Sequence, residues 1–493
     1  MVSGPQYRKE LQRVKSGPFG KRKSIRSTIM TNAPNGTATE TTGLISGREN
    51  GHADRRKSSL TRFFEFFAHK NHTAGLDSEN KFVRIPAQVV QATKVTLYSN
   101  YVNILLVFVP LGIVAGAMGW NPTIVFMLNF FAIVPLAAVL SFATEEISMK
   151  LGQTMGGLLN ATFGNAVEMI VSIVALKDNQ IRIVQSSMLG SILSNMLLVL
   201  GCCFLAGGIH NSRTGTAEGI QQDFNSTVAS TMSSLMTVAA ASLIIPATLY
   251  AAMAASNYPY REQNILILSH GTSIILLILY VLYLFFQLRS HASLFDAEAP
   301  ADGEEEEEPQ LSPWAAGGVL LVVTIAVAIC AEFLVGSIDS LVETSGISKT
   351  FIGLILLPIV GNAAEHVTAI VVAVKDKMDL AMGVAIGSSM QIALLVTPSL
   401  VLLGWAIGVD MTLHFETFET VVFFLSVLVV TYVLSDGKSN YLEGAMLLGL
   451  YLIIALAFLV YPDNIAADNP NKGDAIGDNI KLMTRSIGAR LGN

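Results

Sequence analysis

The sequence predicts an all-α integral membrane protein of about eleven transmembrane helices, with one extra helix ahead of two inverted five-helix repeats. Three observations lead to this fold class. The 493-residue chain is 52% hydrophobic and only 14% charged. Apolar runs of about 20 residues, the length that crosses a bilayer, recur along the chain. The motif Gly-Asn-Ala-x-Glu occurs twice inside such runs, at 164–168 and 361–365.

The N-terminal segment, residues 1–97, is polar and basic, with 14 Lys and Arg against 5 Asp and Glu over residues 1–72. Such a composition buries little apolar surface and predicts a disordered tail. Its positive charge favours the cytosol. The tail is then either a solvated segment or a regulatory arm that contacts lipid.

Eleven apolar spans follow the tail. The first, 98–119, is the extra helix. The other ten divide into repeat 1 (120–288) and repeat 2 (313–461), separated by an acidic linker (289–312) and followed by a C-terminal tail (462–493). The ten spans are 121–144, 154–176, 182–208, 229–255, 263–288, 313–336, 347–374, 379–406, 414–435 and 441–461.

The number of spans predicts the topology. Five spans leave the chain on the side opposite its entry, and the linker contains no span. The second repeat must therefore run upside down relative to the first, which is the inverted-repeat arrangement of many secondary transporters. With the basic tail in the cytosol, the linker is cytosolic and the C-terminal tail is lumenal.

The duplicated motif predicts a cation site. Asn165 and Glu168 are three residues apart and share one helix face, as do Asn362 and Glu365. A carboxylate within a membrane span is a functional candidate by default. Carboxylate and amide oxygens are the ligands of hard cations such as calcium, and two glutamates balance one divalent charge. The same carboxylates could bind protons after the metal leaves.

Small and polar residues around the motifs extend this candidate site. Gly164 and Gly361 allow close backbone approach. Each motif is followed, at the same spacing, by a Gly-Ser signature that offers further oxygens. Packing between membrane helices is the alternative role for these small residues. The candidate ligands from the two signatures are Ser191, Ser194, Asn195, Ser388, Ser389 and Gln391.

Further acidic residues are candidates for the ion pathway or its entrance. Glu145 and Glu146 close the second span, where solvated helix-end carboxylates are the alternative. Glu332 lies within the seventh span and is expected to face inward. The linker carries Asp296, Glu298 and a run at 304–308, which either gathers cations or simply remains solvated. His270 and His366 are interpreted as core histidines.

At these residues the chain resembles the vacuolar calcium/proton exchangers of the cation/calcium exchanger superfamily, over about residues 88–461. The matching strings are Gly-Gly-Leu-Leu-Asn-Ala-Thr-Phe-Gly-Asn-Ala (156–166), Gly-Asn-Ala-Ala-Glu-His (361–366) and Phe-Phe-Gln-Leu (285–288). The resemblance implies an eleven-helix fold, a central calcium site at Glu168 and Glu365, and an acidic helix between the repeats that faces the cytosol. It also implies the proton as counter-ion and the vacuolar membrane as the location.

The expected function is therefore antiport of cytosolic calcium against lumenal protons across the vacuolar membrane, in calcium sequestration. A manganese or broad divalent cation/proton exchanger is one alternative, since oxygen ligands suit both metals. A cation channel is an alternative of another class. No His-Glu-x-x-His motif and no paired Ser-His arrangement favour an enzyme. We expect no resident cofactor and no nucleic-acid partner, and the oligomeric state stays open.

Overall fold

The computed structural model describes residues 81–214, 221–256, 258–295 and 309–461. Seven helices in this part of the chain are long and apolar enough to cross a membrane, and two bent helix pairs bring the number of candidate spans to nine. A shorter apolar helix covers Thr417–Val433. The tail up to residue 80, the acidic stretch 296–308 and residues 462–493 lie outside the described residues. The all-helical membrane architecture is as predicted.

The first described segment is a bent helix pair. Helix α1 (Lys81–Tyr98) is followed by a 3-10 turn (Tyr101–Val107) and helix α2 (Phe108–Ala117). The chain bends by 112° between Pro86–Tyr98 and Tyr101–Ala117. Asn103 fixes the bend by donating to the Thr96 carbonyl at 2.7 Å. The extra helix thus begins earlier than predicted, and the expectation of disorder over 1–97 is wrong for α1. Its buried face, with Val95, packs against the start of a later helix.

The first unit, repeat 1, follows and has four candidate membrane spans among its described residues. Its bounds are α3 (Pro122–Phe163), α4 (Ala166–Lys177), α5 (Ile181–Leu193), a π-helical segment (Ser194–Val199), α6 (Leu200–Thr214), strand β1 (Gln222–Asp223), α7 (Ser226–Ala255) and α8 (Arg261–Phe285). A π-helical turn (Phe286–Ser290) and a 3-10 turn (Ala292–Leu294) then lead into the linker.

Helix α3 is assigned 42 continuous residues, although the sequence predicts a break between 144 and 154. Its contacts show a sharp bend at that place. The Ser148 hydroxyl donates to the Gly156 carbonyl at 2.9 Å and to Asn160 Oδ1 at 3.0 Å. In a straight helix, eight residues would separate these groups by about 12 Å. The apolar span accordingly ends at Leu151.

The second unit repeats this order. Its bounds are α9 (Pro313–Gly336), α10 (Ile338–Ser345), α11 (Lys349–Phe351), a π segment (Ile352–Leu356), α12 (Leu357–Gly361), α13 (Ala363–Val374), α14 (Met378–Gln391), a π segment (Ile392–Val396), α15 (Thr397–Ile407), α16 (Thr417–Val433), strand β2 (Lys438–Ser439) and α17 (Tyr441–Leu459).

Both units are interrupted at the same motif positions. Asn165 (φ −104°, ψ 28°) and Asn362 (φ −94°, ψ 4°) leave helical geometry, so a new helix starts immediately after each of them. π-helical segments begin at Ser194, within the first Gly-Ser signature, and at Ile392, just after the second. Such interruptions are frequent at functional sites and are tolerated in membranes where they line cavities.

The two units pack into one core. The long helix through α5 and α6 is 72% buried and that through α14 and α15 is 56% buried, whereas the spans of α7, α8 and α17 are about one third buried or less. Strands β1 and β2 form an antiparallel pair that joins the units, with Gln222 opposite Ser439. The signature-bearing helices and the span at the start of α3, which is 61% buried, thus form the centre, and the less buried spans present apolar faces outward.

Candidate functional site

The two motif glutamates lie in the first turns of helices that start inside the bundle. Glu168 is in the first turn of α4 and Glu365 in the first turn of α13. A Cβ added at Gly361 would lie 2.7 Å from Glu168 Oε1. Glycine at this position therefore lets the backbone of one half approach the carboxylate of the other, as the sequence predicted for the motif glycines.

Several polar atoms of these motifs are buried without a partner within the described part of the chain. They are Glu168 Oε1, Glu365 Oε2 and both amide atoms of Asn362. Buried polar groups are costly unless they are hydrogen-bonded. Two carboxylate oxygens and an amide oxygen left in this condition form a donor set that suits a hard cation.

Asn165 differs from Asn362 in that its amide is fully engaged. Its side chain donates to Gln391 Oε1 at 2.7 Å, and Ser388 donates to Asn165 Oδ1 at 2.8 Å. Asn195 in turn donates to the Ser388 hydroxyl at 3.0 Å. The structure thus brings these four predicted residues together, but as a hydrogen-bonded network across the two units. Ser388 also contacts the Glu365 carboxylate.

Glu168 borders a small pocket of about 20 Å³, which is room for one water molecule. Ser191, one of the candidate ligands, lines this pocket together with Ser187 and Gly361. The remaining wall is apolar. Ser191 and Glu168 thus line the same pocket.

Glu365 instead borders a large cavity of about 900 Å³. This cavity extends from the exposed carboxylates Asp223 and Asp379 inward to Glu365 and Gln391. Glu145, one of the predicted entrance residues, lines this cavity. Sequence analysis missed Asp223 and Asp379. Their positions just ahead of α7 and in the first turn of α14 carry no motif that would have distinguished them.

The other predicted entrance residues lie elsewhere. Glu146 is buried outside the cavity wall and accepts a 2.7 Å hydrogen bond from the Leu311 N–H, just before α9. Glu332 is exposed on the surface of α9, so the expectation that it faces inward is wrong. Asp296 and Glu298 lie outside the described residues, as does the run 304–308.

The two histidines interpreted as core residues occupy different environments. His366 Nε2 lies 3.4 Å from the Ser194 hydroxyl, one position along the chain from Glu365. His270 stacks on Trp405 with ring centroids 4.4 Å apart. Ser194 is thereby engaged with a histidine, whereas Ser389 donates to the Ala385 carbonyl at 3.0 Å.

A charged cluster that the sequence did not reveal closes the opposite end of the bundle. Arg182 donates to both carboxylate oxygens of Glu419, at 2.9 and 2.6 Å, and lies 3.3 Å from Glu416. Helix α16 runs from this cluster to β2, which pairs with β1 at the rim of the large cavity. Seventeen helical residues span about 25 Å, so the cluster and the cavity lie at opposite ends.

The loop beside this cluster is also tightly packed. Gln185 donates to the backbone carbonyls of Thr412 and His414 at 3.0 and 3.1 Å. The His414 ring stacks on Tyr250 with centroids 4.0 Å apart. Burial lowers the pKa of His414 below its ordinary value. The end of the bundle at Arg182 is therefore closely packed, whereas the large cavity at the other end reaches Glu365.

Comparison with known proteins agrees with this geometry. The family described as "Sodium/calcium exchanger protein" matches residues 121–289 and 315–460, one segment on each side of the linker. The chain belongs to the sodium/calcium exchanger protein family. Each matched segment contains one Gly-Asn-Ala-x-Glu motif, so the buried glutamates stand at corresponding places in both halves of the family domain.

Three known proteins are similar to this chain over most of their own length. The chain is 51% identical over 375 residues to the "Vacuolar calcium ion transporter" of Schizosaccharomyces pombe, covering 76% of this chain and 88% of that protein. It is 44% identical to the "Ca(2+)/H(+) antiporter" of a Synechocystis species, covering 73% and 97%. The structure of native YfkE superposes with a TM-score of 0.61 at 37% identity, covering 73% and 100%. The membrane-exchanger fold is therefore shared.

Proposed function

We propose that this exchanger is a secondary active antiporter that moves cytosolic calcium into the vacuole in exchange for lumenal protons. The observation that carries the proposal is the pair of buried, incompletely partnered carboxylates Glu168 and Glu365, one from each half of the chain. The names of the relatives, a vacuolar calcium ion transporter and a calcium/proton antiporter, support the same substrate, counter-ion and membrane.

The two carboxylates couple the ions by competition. When both are ionised, their charge balances one divalent cation, and Asn362 adds an amide oxygen. When the cation leaves, protons neutralise the same oxygens, because an unpaired carboxylate is costly to keep charged away from water. One set of oxygens thus serves both ions at different stages of the cycle.

The large cavity supplies the route to this site from one side. Its exposed carboxylates Asp223 and Asp379 raise the local concentration of cations at the mouth. The start of the acidic linker, including Leu294 and Phe295, forms part of the same wall. In the predicted topology this is the cytosolic side, so the described state takes up calcium from the cytosol.

The direction of transport is energetically feasible. Accumulating calcium a thousandfold costs about 4 kcal/mol before the membrane potential is counted. Two protons that each cross about two pH units return about 5–6 kcal/mol. An acidic compartment can therefore drive calcium uptake with two or more protons per ion.

The proposal includes no catalysed covalent chemistry and no resident cofactor. The site offers two carboxylates and neutral oxygens for the transported ions. Manganese as a second substrate and channel-like conduction are outcomes that the following experiment distinguishes.

The experiment measures calcium uptake into proteoliposomes that carry an imposed pH gradient. Glu168→Gln and Glu365→Gln should each reduce exchange at least a hundredfold, because each substitution keeps the side-chain size and removes the charge that balances calcium. Glu332→Gln is the matched control, since this glutamate lies within a span but is exposed on α9. It should retain most of the activity.

Three results would count against the proposal. Near-normal exchange by either motif variant would remove that glutamate from the site. Uptake that persists after the pH gradient is collapsed would indicate a channel. Stronger competition by manganese than by unlabelled calcium would indicate a manganese or broad divalent exchanger.

A further inference from the structure

The small pocket at Glu168 and the large cavity at Glu365 are built from corresponding positions of the two halves. Gly164 and Gly361 are 197 residues apart, and at this offset six lining residues of the pocket have counterparts in the cavity wall. The pairs are Glu168 with Glu365, Ser191 with Ser388, Gly361 with Gly164, Val171 with Thr368, Ser187 with Val384, and Leu357 with Asn160.

The two sets differ sharply in exposure. Asn160 and Thr368 are exposed in the wall of the large cavity. Their counterparts Leu357 and Val171 are only 8% and 9% exposed. Equivalent positions therefore form an aqueous cavity of about 900 Å³ in one half and a closed pocket of about 20 Å³ in the other.

In three of the six pairs the two residues are of different types. In two of these three, the polar residue lines the large cavity and the apolar residue lines the small pocket. Asn160 and Thr368 place an amide and a hydroxyl where water enters. Leu357 and Val171 place apolar side chains where the equivalent space is closed. Water that entered the Glu168 side would have to solvate both apolar side chains, whereas the cavity on the Glu365 side already presents polar groups.

We infer that the pocket at Glu168 is the closed counterpart of the large cavity, and that Leu357 and Val171 hold it closed by keeping it dry. These two side chains set the resting preference of the carrier for the state that is open at Glu365. Opening the Glu168 side delivers the bound ion to the opposite compartment. The inference rests on the proposed function, because it assigns this pocket to the release path of the same ion.

The third pair with different residue types, Ser187 and Val384, provides two positions for labelling. Ser187 lines the closed pocket and Val384 lines the open cavity, so they are equivalent positions with opposite access. A cysteine at each reports the opening of its own side. The native Cys202, Cys203 and Cys330 are free thiols and are replaced by alanine in the background protein.

The experiment measures how fast a polar thiol reagent labels Ser187→Cys or Val384→Cys in the full-length, detergent-solubilised protein. In the parent, Val384→Cys should react at least tenfold faster than Ser187→Cys. Val171→Thr with Leu357→Asn makes the closed side resemble the open one. It should raise the Ser187→Cys rate about tenfold, because the apolar surface that opposes wetting has been removed.

The reverse exchange is the matched control. Asn160→Leu with Thr368→Val makes the open cavity apolar and should lower the Val384→Cys rate by a similar factor. An unchanged Ser187→Cys rate in the first variant, or an unchanged Val384→Cys rate in the reverse variant, would overturn the inference. If Leu357→Asn prevents folding, the isosteric Val171→Thr change alone should still raise Ser187→Cys labelling, and its failure to do so would also overturn the inference.

Thiol labelling can be measured in a protein that does not transport ions. The inference about the closed pocket and the proposed function can therefore be refuted independently of each other. Unchanged labelling in variants that still exchange calcium for protons would remove only the role of Leu357 and Val171. Shifted labelling in a parent protein that shows no calcium–proton exchange would instead leave the closed pocket in place and overturn the proposed function.

Discussion

Replacing Arg182 by alanine is expected to destabilise the exchanger by about 3–5 kcal/mol, the cost of leaving a buried charge without its partner. The reason lies in the contacts of its guanidinium. It donates to both carboxylate oxygens of Glu419, whose side chain is fully buried, and to the Thr350 hydroxyl at 3.1 Å. Removing Arg182 leaves the Glu419 carboxylate inside the protein with Glu416, a like charge, beside it.

A surface ion pair provides the matched control. Lys349 and Asp339 also form a salt bridge, but 33% and 53% of their side chains are exposed. Lys349→Ala should therefore cost only about 0–1 kcal/mol, because solvent screens such pairs. Both changes remove one cation of an ion pair, but the remaining carboxylate is fully buried in one case and about half exposed in the other.

The assay is thermal unfolding of the purified protein in detergent, followed by the loss of the monodisperse species. Arg182→Ala should lower the midpoint by several degrees and Lys349→Ala by little. Adding Glu419→Gln to Arg182→Ala should recover much of the loss, because the unpaired charge is then gone. Equal shifts for the two alanine variants, or no recovery in the double variant, would refute the reasoning from burial.

Three further predictions test particular parts of the fold. Gly190→Ala should abolish correct folding, because its Cβ would lie 2.1 Å from a backbone carbonyl oxygen of the facing π segment, whereas the equivalent Gly387→Ala has open space and should be tolerated in a thermal-stability assay. Glu146→Gln should cost about 1–3 kcal/mol by the same assay, because it weakens a buried, charge-assisted hydrogen bond to the start of α9. Impermeant labels at Glu306 and Asn493 should react from opposite sides of the membrane, and labelling from one side would refute the inverted topology.

The repeated elements were predictable because local sequence determines them. An apolar span, a Gly-Asn pair that ends a helix, and a glutamate in the following turn all act within a few residues. The structure accordingly places Glu168 and Glu365 at equivalent helix starts. The sharp bend at Ser148 also falls where the sequence predicts a break, although the backbone stays helical on both sides of the bend.

What the sequence could not provide were contacts between distant segments. The Arg182 cluster joins three helices, and each partner viewed alone is a helix-end charge of the kind usually found in water. The sequence makes both Glu146 and Glu332 pathway candidates. In the structure Glu146 accepts a hydrogen bond from the backbone just before α9, and Glu332 is exposed on α9. Their roles depend on which face meets a neighbour, and a uniformly apolar span has little periodicity to reveal that face.

The two halves of the chain carry the same motif but differ in the structure around it. Two equal motifs predict two equal half-sites, but a carrier open at one end must break that equality. The structure does so at the asparagines. Asn165 is held by Gln391 and Ser388, whereas the amide of Asn362 has no partner within the described residues. Ser194 occupies the place equivalent to Gln391 and is too short to repeat the bond. The difference between the two asparagines therefore comes from residues outside the duplicated motif.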